Sequence, residues 1–327
     1  MGHANQIQFT VLGGGGEVGA NSFLLSVNGA QLLLDCGTHP KKEGRSALPE
    51  FPLLRKGPDA LLVTHGHVDH CGAVPYLHRM FPNVQTYATV PTARIMDRML
   101  HNSVAVMQTI AKERGVSEYP LYDHEDVGYA MRHTHGREFG TPFLLDTPSP
   151  VSVRFQYAGH VLGSASVLVQ TDAHTLLYTG DICESDQELM GGYAPLPDGM
   201  PVDTLVIEST HGATDETEVL PYQEEALRLG RCIAEVLDRG GVALVPSFAL
   251  GRTQEMLNVI ARLQEESIIP DVPVYASGLG RAIYELYARY DHYLGDHANL
   301  RPLEQFGRVG NVWERGVVEE LLKIGRA

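Results

Sequence analysis

The chain has 327 residues, a formal net charge of −15 and 43% hydrophobic residues, as expected for one large or two ordinary soluble domains. No apolar run reaches the ~20 residues that a membrane span needs, and the first residues lack the basic region and apolar stretch of a signal peptide, so we expect a cytoplasmic protein. The four cysteines form no CxxC pair, and the acidic balance argues against non-specific wrapping of nucleic acid.

The first elements in chain order are strands, and a glycine-rich loop lies between two of them. Gly14, Gly16 and Gly19 match the dinucleotide fingerprint G-x-G-x-x-G. That fingerprint must open a helix, whereas the residues that follow it here alternate like a strand and lead into an Asn-Gly hairpin turn. The context therefore excludes a nicotinamide or flavin site. The predicted strands cover residues 8–12, 21–27 and 31–35.

Three histidines and one aspartate follow the next predicted strand, residues 60–64. They are His65, His67, Asp69 and His70. The end of a buried strand is a usual place for catalytic or binding residues, and imidazole nitrogen and carboxylate oxygen are ligands of zinc and related divalent ions. The alternative is a solvated polar turn. We predict a metal site.

Apolar spacing downstream predicts three helices, over residues 72–82, 91–114 and 126–132. The pair His133 and His135 has no acid at metal-ligand spacing, so we assign it to the surface or a loop. Further strands are predicted at residues 151–157, 166–170, 175–178 and 204–207.

Several polar residues share one position, just past the end of an apolar strand. They are Asp35, the His65–His70 cluster, His160, Asp181 and Glu208. Strands that lie side by side in one sheet bring such ends to one edge. We therefore expect these dispersed side chains to meet around one site.

Beyond residue 210 the pattern changes to alternating helices and strands. Helices are predicted at residues 223–239, 251–264, 280–290 and 312–324, and strands at 242–245 and 272–275. This alternation is typical of a parallel-sheet domain. We therefore divide the chain into a first domain, residues 1–210, and a second, residues 211–327.

Five further motifs occur in order along the chain. They are residues 13–19 ending in Glu-Val-Gly, 34–37 (Leu-Asp-Cys-Gly), 159–165 (Gly-His-Val-Leu-Gly-Ser-Ala), 208–212 (Glu-Ser-Thr-His-Gly) and 246–255 (Pro-Ser-Phe-Ala-Leu-Gly-Arg-Thr-Gln-Glu). Together with the histidine cluster they resemble the β-CASP branch of the metallo-β-lactamase superfamily, which contains ribonucleases. The resemblance implies an α/β fold, an αββα sandwich with a partial parallel β/α (β-CASP) second domain.

The resemblance also implies two zinc ions and a role for each site residue. His65, His67 and His160 would bind the first zinc, Asp69 and His70 the second, and Asp181 would bridge them. Asp35 would orient a ligand from behind. Glu208 matches an acid that contacts a catalytic histidine in relatives, so Asp69, Asp181 and Glu208 form the predicted catalytic set.

Ser247 and Arg252 have an interpretation of their own. Backbone N–H groups at a helix start attract anions, and the planar Arg252 guanidinium suits phosphate. We predict that both residues contact the substrate backbone; the alternative is an interdomain salt bridge.

Two histidine motifs that relatives carry after the second domain are absent before residue 327. We expect the second zinc to bind less tightly for this reason, and Mn²⁺ stays an alternative ion. The chain is then a fragment, a natural short form, or an inactive subunit. Because an unfinished sheet edge invites pairing with another chain, we predict a homodimer or higher oligomer.

These observations predict a zinc-dependent phosphodiesterase that cleaves single-stranded RNA with a metal-activated hydroxide. A small-molecule hydrolase acting on esters, thioesters or lactams is the second hypothesis. The third is a non-catalytic scaffold, which need not bind zinc.

Overall fold

The computed structural model describes residues 7–215, 220–276, 278–306 and 310–311. The chain divides into two compact units. The first comprises Met1–Ala158, Gly163–Ile182 and Tyr193–Glu208, and the second comprises Gly159–Leu162, Cys183–Gly192 and Ser209–Ala327. None of the helices in the described part of the chain has the length and apolar composition needed to cross a bilayer.

A six-stranded sheet forms the centre of the first unit, with its strands in sequence order. Its strands are β1 (Gln8–Gly13), β2 (Ser22–Val27), β3 (Ala30–Leu34), β4 (Ala60–Leu62), β5 (Gln85–Thr89) and β6 (Thr134–Arg137). Strands β1 to β3 pair antiparallel, and β3 to β6 pair parallel. Every residue of β4 is buried, as expected for a parallel strand covered on both faces.

Helices of the first unit pack against one face of this sheet. They are α1 (Val68–Cys71), α2 (Val74–Met80), α3 (Val90–Arg114) and α4 (His124–Arg132). The long helix α3 begins where the Thr89 side chain accepts from the Thr92 backbone N–H, and it ends at Gly115 in the left-handed conformation. The buried side chains Leu33, Leu61 and Met96 join sheet and helices in one core.

A second sheet faces the first. Its strands are β7 (Phe143–Leu144), β8 (Ser152–Tyr157), β9 (Ala165–Gln170), β10 (Thr175–Tyr178) and β11 (Thr204–Val206), in the order β11-β10-β9-β8-β7. The pair β10/β11 is parallel and the other pairs are antiparallel. Leu32 and Leu62 of the first sheet share a core with Phe155 and Val167 of the second. The predicted α/β class with stacked sheets is confirmed.

In the described residues of the second unit, most of the regular secondary structure is helical. Its helices are α5 (Tyr222–Asp238), α6 (Arg252–Glu265) and α7 (Gly278–Arg289), and a short parallel pair joins β12 (Tyr275–Ala276) to β13 (Gly310–Asn311). Ile233 of α5 packs on Val259 and Leu263 of α6.

Several local predictions differ from the structure, and one falls outside the described residues. Residues 242–245 form no strand, and Leu244 is 88% exposed; an apolar run becomes a strand only where a partner completes its hydrogen bonds. The pair His133 and His135 was assigned to the surface or a loop, whereas His135 lies in β6 and is partly buried. The predicted helix at residues 312–324 lies outside the described residues.

Candidate metal centre

The fold of the first unit places the predicted polar residues at strand ends. Asp35 directly follows β3, and the histidine cluster follows β4, the parallel neighbour of β3. Asp181 follows β10, and Glu208 follows β11, which is again a parallel neighbour. The carboxyl ends of parallel strands share one edge of a sheet, so each pair of positions lies close in space.

His65 and His70, which follow a strand of the first sheet, come together with Asp181, which follows a strand of the second sheet. Each offers one ligand atom, and these atoms lie within 4.8 Å of one another. The Nε2 atom of His70 is 3.3 Å from Oδ1 of Asp181 and 3.8 Å from Oδ2 of Asp69. The Nε2 atom of His65 is 3.9 Å from Oδ2 of Asp181 and 3.0 Å from Nδ1 of His67.

Asp35 lies directly behind His70 and is fully buried. Its Oδ2 atom is 2.8 Å from Nδ1 of His70 and 2.8 Å from the Tyr178 hydroxyl. The Thr64 backbone N–H donates to Oδ1 at 2.8 Å, and the Thr64 hydroxyl donates to Oδ2 at 2.9 Å. A carboxylate can only accept, so Nδ1 of His70 carries the proton. The Nε2 atom of His70 therefore faces the side where Asp181 lies.

The same reasoning sets the orientation of His65. Its Nδ1 atom is 3.0 Å from the Thr64 hydroxyl oxygen. Because the single hydroxyl proton of Thr64 is donated to Asp35, the hydroxyl accepts from His65, and Nδ1 of His65 is the donor. In His65 and His70 alike, Nε2 is thus the nitrogen that is available to a metal ion.

The electrostatics of the pocket favour a cation. Burial lowers the pKa of His70, but the Asp35 and Asp181 carboxylates outweigh this effect, and the pKa lies well above its ordinary value. Two carboxylates next to one buried imidazole stabilise positive charge at this position. Imidazole nitrogens with carboxylate oxygens are also the donor set of zinc and similar ions. The residues present therefore fit a divalent metal.

Thr64, Tyr178 and Asn21 contact the site and were not predicted. Tyr178 is the last residue of β10 and is separated from Asp35 by 143 positions, so local sequence carries no signal for the contact. The Asn21 side chain places Nδ2 at 3.0 Å from Nε2 of His70. Its position between the glycine-rich loop and β2 was the one available signal.

Glu208 lies next to the segment that carries Asp181. Its Oε1 atom accepts from the backbone N–H of Ile182 at 3.2 Å, and its own N–H donates to the Thr179 hydroxyl at 3.2 Å. These contacts tie the end of β11 to the end of β10. They place Glu208 where it can hold the Asp181 backbone.

His160 lies in the loop after β8, within the 159–162 segment that belongs to the second unit. Its assignment as a metal ligand stays a prediction. The backbone carbonyls of Gly159 and His160 accept from the Gln187 side chain, at 2.9 and 3.3 Å. This contact lies within the second unit and supports the loop.

The predicted substrate contacts also lie in the second unit. Helix α6 begins at Arg252, close to the predicted start, and both Ser247 and Arg252 are exposed. The Arg252 guanidinium is 3.5 Å from the Gln187 side-chain oxygen, at the limit of a hydrogen bond. Their role toward a substrate stays a prediction.

Glu255, in the same motif as Arg252, is buried within the second unit. Its carboxylate accepts from the backbone N–H groups of Glu188, Leu189 and Met190, with donor–acceptor distances of 2.8 to 3.3 Å. Burial raises the pKa of Glu255 to about 7, although these hydrogen bonds act in the opposite direction. Glu255 thereby anchors the loop of residues 183–192 to α6.

Comparison with known proteins identifies the family of the chain. A family profile described as the metallo-beta-lactamase superfamily matches residues 15–220, more than half of the chain. A solved structure of a protein of unknown function from Enterococcus faecalis has the same fold, with a TM-score of 0.52 at 15% identity. It covers 87% of this chain and 68% of that chain.

Curated relatives match most of this chain. The transcription termination factor FttA of Methanocaldococcus jannaschii is 34% identical over 94% of this chain and 49% of its own length. An endoribonuclease of Gibberella zeae is 32% identical over 90% of this chain and 35% of its own. A ribonuclease of Thermus thermophilus is 32% identical over 88% of this chain and 62% of its own. The chain thus spans between about a third and three fifths of the length of these relatives.

Proposed function

Because this chain belongs to the metallo-beta-lactamase superfamily, in the β-CASP branch that its motifs predict, we propose that it is a metal-dependent ribonuclease. The observation that carries the proposal is the convergence of His65, His70 and Asp181 within 4.8 Å at the strand ends of the first unit. Two of the relatives named above are ribonucleases by name, which supports RNA as the substrate.

We assign the ligands as the sequence predicts. His65, His67 and His160 would hold one ion, Asp69 and His70 would hold another, and Asp181 would contribute to both. When bound, two zinc ions supply a hydroxide nucleophile and stabilise the charge that develops on the phosphoryl oxygens.

The protein supplies orientation behind these ligands. Asp35 holds the proton of His70 on Nδ1 and so leaves Nε2 for the ion. Thr64 does the same for His65 through its hydroxyl. Glu208 holds the backbone next to Asp181, and we include it with Asp69 and Asp181 in the catalytic set.

Substrate contacts are proposed on the second unit. Ser247 and Arg252 would bind the phosphate backbone of single-stranded RNA at the start of α6. The support is that both side chains are exposed and that a guanidinium at a helix start suits phosphate. A homo-oligomeric state and a cytoplasmic location stay predictions.

The test is cleavage of labelled single-stranded RNA by protein whose zinc content has been measured. We expect cleavage that a chelator abolishes and zinc restores. Asp181→Asn should lower the rate at least about a hundredfold, whereas the exposed control Asp198→Asn should not change it. Protein that holds two zinc ions and leaves RNA intact would refute the proposal, and hydrolysis of an ester or lactam by that protein would favour the small-molecule hydrolase.

A further inference from the structure

Asn21 occupies the coordination side of His70. Since Nδ1 of His70 donates to Asp35, Nε2 is the acceptor that a metal ion would use. The Asn21 amide nitrogen lies 3.0 Å from this atom. Around Nε2 the carboxylate oxygens of Asp181 and Asp69 lie at 3.3 and 3.8 Å, so the Asn21 amide is the nearest of the three groups.

The distances of Asn21 and Asp181 from His70 are those of ligand atoms on one ion. Two ligands at about 2.1 Å from a metal, with an angle of about 90 to 109° between them, lie about 3.0 to 3.4 Å apart. The separations of Asn21 and Asp181 from His70 lie in this range. A half-turn about the Cβ–Cγ bond of Asn21 exchanges its amide nitrogen and oxygen. The side-chain oxygen then lies at ligand distance with no movement of the backbone.

The surrounding backbone holds Asn21 in this place. The Asn21 N–H donates to the Asp69 carbonyl at 2.9 Å, and the Asn21 carbonyl accepts from the Gly37 N–H at 3.0 Å. Gly14, in the glycine-rich loop, lies against the amide: a Cβ at this position would come within 2.3 Å of Oδ1 of Asn21. The absence of a side chain at Gly14 therefore leaves room for the Asn21 amide to turn.

We propose that Asn21 is a metal ligand, and that its side-chain oxygen completes the site formed by Asp69, His70 and Asp181. The inference rests on the proposed function because it extends the same metal centre. The glycine-rich loop, whose context excludes a dinucleotide site, then has a different role, because Gly14 leaves room for the Asn21 side chain.

A consequence for metal selectivity follows from the donor set. With Asn21 the site has one imidazole nitrogen and three oxygen donors, whereas His65 and His67 belong to an imidazole-rich site. Oxygen-rich sites suit Mn²⁺, and imidazole-rich sites suit zinc. The Asn21 site is therefore the one that takes Mn²⁺ when the imidazole-rich site holds zinc.

The test measures metal binding by the full chain without reference to cleavage. Protein loaded with one equivalent of Zn²⁺ is titrated with Mn²⁺, and the electron paramagnetic resonance signal of free Mn²⁺ gives the Kd of the second ion. We expect Asn21→Ala to weaken Mn²⁺ binding by about tenfold or more and to leave the zinc bound. The exposed control Asn83→Ala should bind Mn²⁺ as the unmodified protein does.

The Asn21→Asp variant distinguishes metal ligation from a hydrogen bond to His70. Because aspartate has the same shape as asparagine, this variant can also be tested if Asn21→Ala does not fold. It presents oxygen on both sides and cannot donate to His70. Retained or tighter Mn²⁺ binding by Asn21→Asp supports ligation. Loss of Mn²⁺ binding in Asn21→Asp, or unchanged Mn²⁺ binding in Asn21→Ala, overturns the proposal that Asn21 is a ligand. RNA cleavage that persists in either case would leave the proposed function intact.

Discussion

Replacing Asp35 with asparagine should separate the stability of the first unit from its capacity to bind metal. Asp35 has a φ of 58°, a left-handed conformation that asparagine tolerates as well as aspartate does. The variant therefore keeps the backbone and the side-chain shape. It removes the charge and one of the two acceptor oxygens.

The magnitude follows from the hydrogen bonds of Asp35. Its carboxylate accepts from the N–H and hydroxyl of Thr64, from Nδ1 of His70 and from the Tyr178 hydroxyl. Hydrogen bonds to a charged group contribute about 1.5–3 kcal/mol, against about 1 kcal/mol for neutral pairs. In the variant, the two Thr64 donors still face a side-chain oxygen. The other two donors, Nδ1 of His70 and the Tyr178 hydroxyl, face the amide nitrogen, which cannot accept a hydrogen bond. We expect the free energy of unfolding to fall by about 2–4 kcal/mol.

The effect on metal binding has a different cause. In the Asp35→Asn variant the new side-chain amide would donate to Nδ1 of His70, so the imidazole proton would move to Nε2, the atom that binds the ion. We expect the affinity for the second ion to fall by about 10- to 100-fold.

Urea unfolding followed by circular dichroism gives the stability change, and metal titration of the folded protein gives the affinity. Asp198→Asn, an exposed position, is the matched control. A variant that binds both ions as tightly as the unmodified protein would show that Asp35 does not set the tautomer of His70. A stability change of less than about 1 kcal/mol would contradict the hydrogen-bond account.

Three further predictions concern buried side chains. The pKa of Glu255 is about 7 against an ordinary 4.5, so the folded state binds more protons than the unfolded state between these pH values. The contribution of Glu255 to stability should therefore fall by about 3 kcal/mol as pH rises through this window. Urea unfolding of Glu255→Gln should lack this pH dependence. The pKa of His78 is lowered from 6.5 to about 4 by burial, so stability should rise by about 3 kcal/mol as pH rises between these two values, and His78→Gln should remove this rise; an unchanged slope in either variant would refute its assignment. Phe155 is fully buried between the two sheets, and Phe155→Ala should cost about 3–5 kcal/mol in thermal or urea unfolding, whereas a loss below about 1 kcal/mol would mean that this core repacks freely.

Local sequence signals were sufficient for some elements and insufficient for others. Helix α3 was predicted at its observed bounds within one residue, because three- and four-residue apolar spacing continues for its whole length. Strands β5 and β6 were missed, since each is short and pairs in parallel with a strand distant in sequence. Residues 242–245 carry the pattern of a strand but form none. Local pattern does not specify a hydrogen-bonding partner.

The sequence likewise indicated some residues of the site and not others. The residue types of His65, His70 and Asp181, each just past an apolar strand, indicate metal chemistry from the sequence alone. The contacts of Thr64, Tyr178 and Asn21 were not predictable in this way. Hydroxyl and amide groups occur throughout any sequence, and only their distance to a ligand gives them a role.

The sequence by itself determined which residues can bind a metal and that they lie at strand ends, because residue type and apolar periodicity are local properties. The tertiary structure decided which nitrogen of His65 and of His70 is left for a metal ion. That choice depends on the Asp35 carboxylate and the Thr64 hydroxyl behind the rings. It also brought the Asn21 amide to the coordinating face of His70. The Thr64–His65 contact is local, but the other contacts join residues that are distant in the sequence, and strand pairing in the first sheet brings them together.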